Sequence, residues 1–272
     1  MPQLRTTILP RSTCAASAGH HIIGAGAPTR GRGKGGAVGL AEYKKKRRFE
    51  VTPEPAGGKA PRGRRPKALA YVIQKHRASQ LHYDFRLEWN GVLLSWAVPK
   101  GPSLDPSVKR MAVSTEDHPL EYAKFEGVIP EGEYGGGTVM IWDYGTWAPE
   151  VPDVDAALRT GELKFKLQGK KLEGSWVLVR LRPRGRETRP SWLLIKHRDE
   201  DASDEDITVT QPRSGVSKRL LVEIARDDGG DLETAASADP PELLRKLLAN
   251  PRLVTPPKKG RKSVWHSKKA VS

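Results

Sequence analysis

The 272-residue chain has a single cysteine, Cys14, and so no intrachain partner for a disulfide. That excludes a disulfide framework, a cysteine-rich zinc module and an iron–sulfur centre together, and it fits a reducing compartment. Long hydrophobic runs are missing too. No stretch approaches the roughly 18 apolar residues of a membrane span, and no membrane partner is expected. Hydrophobic residues make up 37% and mean hydropathy is −0.58, too little apolar material for every segment to join a packed core. Acidic residues are absent before Glu42. This acid-free start holds Arg5, Arg11, Ser12 and Ser17, a transit-like composition. No apolar segment follows either arginine, however, and Gly24 to Gly39 is a Gly/Arg/Lys linker. Residues 1–39 therefore read as a disordered basic arm.

What the chain has in excess is positive charge: 47 Lys+Arg against 32 Asp+Glu, a net +15. It is unevenly spread. Residues 1–70 hold 15 basic and 3 acidic residues, residues 71–200 hold 19 and 18, and all seven basic residues after position 250 are unopposed. A near-neutral body with basic ends points to a polyanionic partner, most often nucleic acid. The division expected is a basic motif and linker at 40–70, a globular domain at 71–200, and an acidic loop, short helix and basic tail at 201–272.

Leu40 to Arg48 reads as a short helix, stopped by Thr52-Pro53-Glu54-Pro55. From Tyr71 the texture is β-like. Strands are expected at Tyr71–Lys75, Leu81–Trp89, Val92–Val98, Met111–Ser114, Gly137–Asp143, Gly145–Ala148, Leu163–Leu167, Gly174–Leu181 and Ser191–Lys196. Asn90-Gly91 closes a tight hairpin between the second and third. Asp153 caps a short helix to Thr160, the acidic run from Asp199 to Asp206 reads as a surface loop, and Pro241 to Leu248 reads as an amphipathic helix. Many strands, short turns and few helices imply a mainly β fold, a sandwich or barrel.

The chemistry concentrates in Leu81 to Asn90. Leu81, Tyr83, Phe85, Leu87 and Trp89 alternate with His82, Asp84, Arg86, Glu88 and Asn90. A plain solvated face would carry Lys, Thr, Ser and Glu; this one starts with an imidazole, a carboxylate and a guanidinium, each about 7 Å from the next. His76, just upstream, can turn back to the same face. Two histidines and an aspartate can share one divalent ion and leave positions open, and mixed N/O ligation suits manganese, iron or zinc better than calcium. Glu116-Asp117-His118-Pro119-Leu120-Glu121-Tyr122 offers another histidine between carboxylates. Arg86, Lys100 and Arg110 are phosphate ligands if they converge. Gly132 to Gly137 lacks the G-K-[ST] ending of a phosphate loop and precedes a strand, so it reads as a hairpin or bulge at the rim of a site. No K-x-D-G sequence is present, which excludes the nucleotidyl-transfer lysine motif of a DNA ligase.

Two long blocks, QKHRASQLHYDFRLEWNGVLLSWAVPKGPSLDP and EDHPLEYAKFEGVIPEGEYGGGTVMIWDYGTW, resemble the 3′-phosphoesterase module of bacterial DNA ligase D. LAEYKKKRRF-EVTPEP resembles the basic N-terminal motif of the same module, so the likeness spans about residues 40–200. It implies a compact β-barrel with small flanking helices. It also implies a manganese-dependent enzyme of non-homologous end joining, acting at the 3′ end of a DNA primer strand. Such an enzyme removes a terminal ribonucleoside and then the 3′-phosphate, leaving a ligatable 3′-hydroxyl. By motif, His76, His82 and Asp84 match metal ligands. Arg86, His118 and Tyr122 match residues around the scissile phosphate, Lys100 and Arg110 match further active-site bases, and Arg47 and Glu54 match functional positions. Where the family motif reads K-R-D-F, this chain reads Lys46-Arg47-Arg48-Phe49, a departure that bears on the phosphate monoester step. The resemblance further implies a bacterial cytoplasmic, nucleoid-associated setting. With no polymerase or ligase segment alongside, a free-standing module working with a separate ATP-dependent DNA ligase and an end-binding protein is expected. The alternative reading is a non-catalytic DNA-end-binding accessory; an RNA-directed nuclease is a third.

Overall fold

The computed structural model describes residues 39–58, 68–183, 185 and 189–249. The expected arm, most of the linker and the basic tail lie outside the described residues. The first described element is α1 (Ala41–Lys45), which is shorter than the expected Leu40–Arg48 helix.

Nine strands follow: β1 (Leu69–Arg77), β2 (Leu81–Trp89), β3 (Val92–Val98), β4 (Arg110–Ser114), β5 (Gly127–Ile129), β6 (Gly137–Pro149), β7 (Glu162–Gly169), β8 (Glu173–Arg180) and β9 (Ser191–Lys196). All pairings are antiparallel, in the order β1-β2-β3-β4-β9-β8-β7-β6, and β6 returns to β1 to close an eight-stranded barrel. β5 adds to the first residues of β6. The expected barrel is thus what forms. β2 and β3 keep their expected bounds and meet through Asn90 and Gly91, both at positive φ (49° and 83°), the backbone a two-residue hairpin turn demands.

One expectation is corrected. The strands expected at Gly137–Asp143 and Gly145–Ala148 are a single 13-residue strand, β6. Gly145 is no break: it lets β6 run so close to β7 that a Cβ there would lie 2.2 Å from the Gln168 carbonyl oxygen. This long strand joins β5 and β7 along one edge and β1 along the other, and so closes the barrel.

Alternation then sorts the side chains. Tyr71, Ile73, Tyr83, Phe85, Leu87, Trp96, Trp142, Phe165 and Trp176 fill the interior, with Phe85 stacked on Phe165 and Tyr83 edge-on to Trp142. On the outer face of β1 to β3, a second apolar layer of Leu40, Tyr43, Leu93, Tyr122, Phe125 and Ile129 buries the wall under α1 and the 3₁₀ helix Leu120–Lys124. α2 (Val154–Thr160) is capped by Asp153 as expected. The acidic run after Asp199 ends at α3 (Ile207–Thr210), whose N-cap is Asp206. α4 (Leu221–Asp228) and α5 (Leu232–Ala236) follow, and these three helices were not expected from the sequence. Ile207, Leu221, Ile224, Ala225 and Ala235 from them all enter the barrel core. α6 (Pro241–Leu248) matches its expected bounds.

Candidate metal and phosphate site

Register carries the candidate ligands together. β1 and β2 pair with His76 opposite His82 and Gln74 opposite Asp84. All four side chains, with Arg86, therefore share the outer face of the wall. His76 Nδ1 lies 3.6 Å and His82 Nε2 3.7 Å from Asp84 Oδ2. One ligand atom from each residue falls within 4.8 Å of the other two. Their outer nitrogens are already engaged: His76 Nε2 donates to the Gly135 carbonyl (2.9 Å) and His82 Nδ1 to the Gln80 carbonyl (3.0 Å). Each bond fixes the tautomer whose lone pair faces Asp84, which is how metal-binding imidazoles are held. Burial lowers the pKa of His82, keeping it neutral and able to ligate. Burial alone would raise that of Asp84, but the neighbouring Arg86 guanidinium holds it well below the usual carboxylate range. The donor set fits a divalent cation.

Arg86, 2% exposed, is the hub beside this cluster. Its Nε donates to Gln74 Oε1 (2.8 Å), NH1 to Ser95 Oγ (2.8 Å), and NH2 reaches Asp84 Oδ2 at 3.1 Å. Its guanidinium lies 4.9 Å from the centre of the Tyr122 ring. His118 sits between two guanidiniums, with Nδ1 at 2.8 Å from Arg86 NH1 and Nε2 at 3.2 Å from Arg47 NH2. Burial, then those two charges, push its pKa well below the ordinary value. In the resting protein His118 is a neutral hydrogen-bonding group between cations.

Arg47 is locked in turn by Glu54 (Nε–Oε1 2.8 Å), by Glu116 (3.3 Å) and by the face of Tyr43 (3.9 Å). Thr52 Oγ1 donates to the other oxygen of Glu54. The structure therefore brings together eight of the ten singled-out residues: His76, His82, Asp84, Arg86, His118, Tyr122, Arg47 and Glu54. It does not bring in Lys100 or Arg110. Lys100 is exposed in the turn after β3. Arg110 begins β4, two residues from the interior-facing Ala112 and so on the opposite face from Arg86; its buried Nε has no hydrogen-bond partner.

Two participants, Gln74 and Ser95, went unread in the sequence, and Glu116 was read only as a carboxylate beside His118. Gln74, fully buried, accepts from Arg86 and donates to the Tyr122 and Phe125 carbonyls at 3.1 and 2.9 Å, tying the 3₁₀ helix to the wall. Its place two residues before His76 on an alternating strand was the available signal. Ser95 gave none, and the pairing of Glu116 with Lys46 and Arg47 was not readable because it depends on which chain segment covers the wall.

A β-barrel wall with a two-histidine, one-aspartate cluster beside buried guanidiniums defines a class of site suited to holding a divalent cation next to an anion. Residues 74–180 match the DNA ligase D 3′-phosphoesterase domain, which bears out the resemblance for this region of the chain. It is 52% identical over 186 residues to the multifunctional non-homologous end joining protein LigD of Pseudomonas aeruginosa, covering 67% of this chain and 22% of that protein. It is 48% identical over 141 residues to the multifunctional non-homologous end joining DNA repair protein LigD of Mycobacterium tuberculosis (52% and 18%). To the LigD of Mycolicibacterium smegmatis it is 40% identical over 174 residues (61% and 22%). The chain spans about a fifth of the length of these relatives. Among the described residues no helix is long and apolar enough to cross a membrane.

Proposed function

We propose that the chain is a manganese-dependent phosphoesterase that heals DNA 3′ ends in double-strand break repair. It would remove a terminal ribonucleoside, a 3′-phosphate or both, to leave a 3′-hydroxyl. The observation that carries this reading is the meeting of His76, His82 and Asp84 with Arg86 at a single place on the wall, a candidate ligand cluster whose Asp84 carboxylate lies 3.1 Å from a buried guanidinium. When bound, the divalent ion supplies Lewis-acid polarisation of a phosphate oxygen and lowers the pKa of a water. His76, His82 and Asp84 would hold it.

The remaining residues act on charge and position. Arg86 and Arg47 bring two permanent cations to the pocket, stabilising negative charge on the phosphate as it develops. His118 spaces the two guanidiniums, and its neutral state leaves them, not the imidazole, as the source of positive charge. Tyr122 lies against the Arg86 guanidinium, and Glu54 fixes Arg47. DNA ends are thus the substrate we propose, with a separate ligase and an end-binding protein as partners. The hydrolytic reading is favoured over a purely binding accessory because both imidazoles bond a backbone carbonyl through the nitrogen turned away from Asp84, the tautomer in which the facing nitrogen can ligate.

The test is an end-labelled primer-template whose primer ends in one ribonucleotide. With manganese, the protein should shorten the primer by one nucleoside and leave first a 3′-phosphate, then a 3′-hydroxyl; chelation should stop it. An unchanged primer at stoichiometric protein would overturn the proposal. Accumulation of the 3′-phosphate would locate the consequence of Arg48 at the second step.

A further inference from the structure

The basic segment before the barrel grips a turn that itself holds one of the candidate metal ligands. Arg48 Nε donates to Glu133 Oε2 at 3.2 Å and its NH2 to Oε1, a two-pronged pair. The Arg48 side chain is 69% exposed and that of Glu133 only 6%. One residue on, the Tyr134 ring has Lys46 Nζ 4.8 Å from its centre. One residue further, the Gly135 carbonyl accepts from His76 Nε2. The turn between these points is closed by backbone bonds, Glu133 N to the Pro130 carbonyl (3.2 Å) and Gly136 N to the Glu133 carbonyl (3.0 Å). Gly135 is at φ +77°, and a Cβ there would sit 3.7 Å from the His76 ring. A single residue in a closed turn, Tyr134, thus separates a clamped carboxylate from the carbonyl that orients His76, and a shift of one moves the other.

We propose that the Arg48–Glu133 pair is a positioning clamp for the metal centre. It seats the 130–136 turn so that the Gly135 carbonyl fixes the ring orientation and tautomer of His76, with Nδ1 presented towards Asp84. Arg48 and Glu133 are positioning residues; neither touches the ion. The clamp gives Arg48 a task of its own at the place where the chain departs from the K-R-D-F motif, and Glu133 carries the acid of the pair. The proposal rests on reading His76, His82 and Asp84 as the metal site.

Charge reversal tests it, with manganese titrated into the metal-free protein in the absence of DNA and bound ion followed by electron paramagnetic resonance. Arg48→Glu should raise the dissociation constant for Mn2+ about threefold to tenfold, below the 10–100-fold typical of a partner bonded directly to a ligand. Glu133→Gln should act in the same direction and less strongly. The double reversal, Arg48→Glu with Glu133→Arg, should return affinity to within about twofold of wild type. Melting temperatures of the metal-free proteins should agree, because an exposed arginine contributes little to global stability. Wild-type affinity in Arg48→Glu, or a double reversal no better than the single, would overturn the clamp. Asp84→Ala separates the two ideas. If it abolishes Mn2+ binding, the metal reading stands and Arg48→Glu alone decides the clamp. If it binds Mn2+ like wild type, the metal reading falls and the clamp falls with it.

Discussion

Replacing Arg86 with lysine probes the site where its geometry is most exacting. The guanidinium makes three directed contacts at 2.8 Å, to Gln74, Ser95 and His118, and one at 3.1 Å to Asp84. A lysine ammonium on a similar stem can reach one or two of these partners, not four. If it keeps Asp84, Gln74 Oε1 is left buried without a donor, which costs about 1–3 kcal/mol. If it does not, the Asp84 carboxylate loses its counter-charge, and breaking such a buried pair costs about 3–5 kcal/mol. A loss of about 3 kcal/mol is expected for Arg86→Lys, a fall in melting temperature of about 6–12 °C. Arg86→Met, which leaves Asp84 with no cation at all, should lose more. Urea unfolding of the three metal-free proteins gives the ranking, and rates on the primer substrate should fall by most of the wild-type value in both variants. Equal midpoints for Lys and Met would refute the claim that the Asp84 charge is what Arg86 answers, and a wild-type rate in Arg86→Lys would refute a role for the two-pronged fork.

Three further outcomes follow from the same structure. His82 and His118 are held neutral by burial, so the unfolded chain takes up protons near pH 6.5 that the folded chain refuses; stability should fall as pH drops below about 6.5. Asp117, raised to about 6, works the other way between about pH 4 and 6, as do Asp143 and Asp239, also raised by burial, so the loss should be clearest between about pH 7 and 6; Asp84 adds a further loss below about pH 4. Melting curves from pH 8 to 4 check this, and a flat profile would contradict it. Deleting residues 201–272 should leave a protein that does not fold stably. It removes Ile207, Leu221 and Ile224 from the core, each worth about 1.5–3 kcal/mol, and strips buried Lys75 of the Ala238 carbonyl and Asp239; a cooperative melt near the wild-type temperature would refute it. Residues 1–39 carry five basic and no acidic residues. Their removal should flatten the dependence of log affinity on log salt by up to about 0.9 per lost phosphate contact, with turnover at saturating DNA little changed.

The fold was legible where local rules act alone. The unbroken alternation of Leu81 to Trp89, the Asn90-Gly91 turn, the Asp153 cap and the leucine spacing of α6 each gave an element at or near its observed bounds. Closure of the barrel was not, because the β1–β6 pairing joins segments about 70 residues apart through a register shift between Ile73 and Gln74. Lys75 shows the same limit. Alternation sets it on the interior face beside Ile73, where a lysine looks out of place until Asp239, at the other end of the described chain, is seen to meet it at 3.5 Å. In the site, the ligand trio was readable because two members share a strand face and the third pairs across from it. The depth of Arg86 and His118 was not, since both are buried by a cover layer from Leu40 to Tyr43 and Tyr122 to Ile129 that no single-strand pattern encodes. The basic positions Lys100 and Arg110 looked equivalent to Arg86 in sequence and differ from it only in which face and which strand end they occupy.

The central claim is that His76, His82 and Asp84 hold an ion that makes this pocket hydrolytic. It is tested most directly by comparing wild type and Asp84→Ala on a primer ending in one ribonucleotide, in manganese, with DNA in large excess over protein. The account predicts many turnovers of ribonucleoside removal by the wild type. It predicts none by Asp84→Ala, which should still bind the DNA and melt as a folded protein. Equal turnover by the two proteins, or binding without turnover by the wild type, would contradict it.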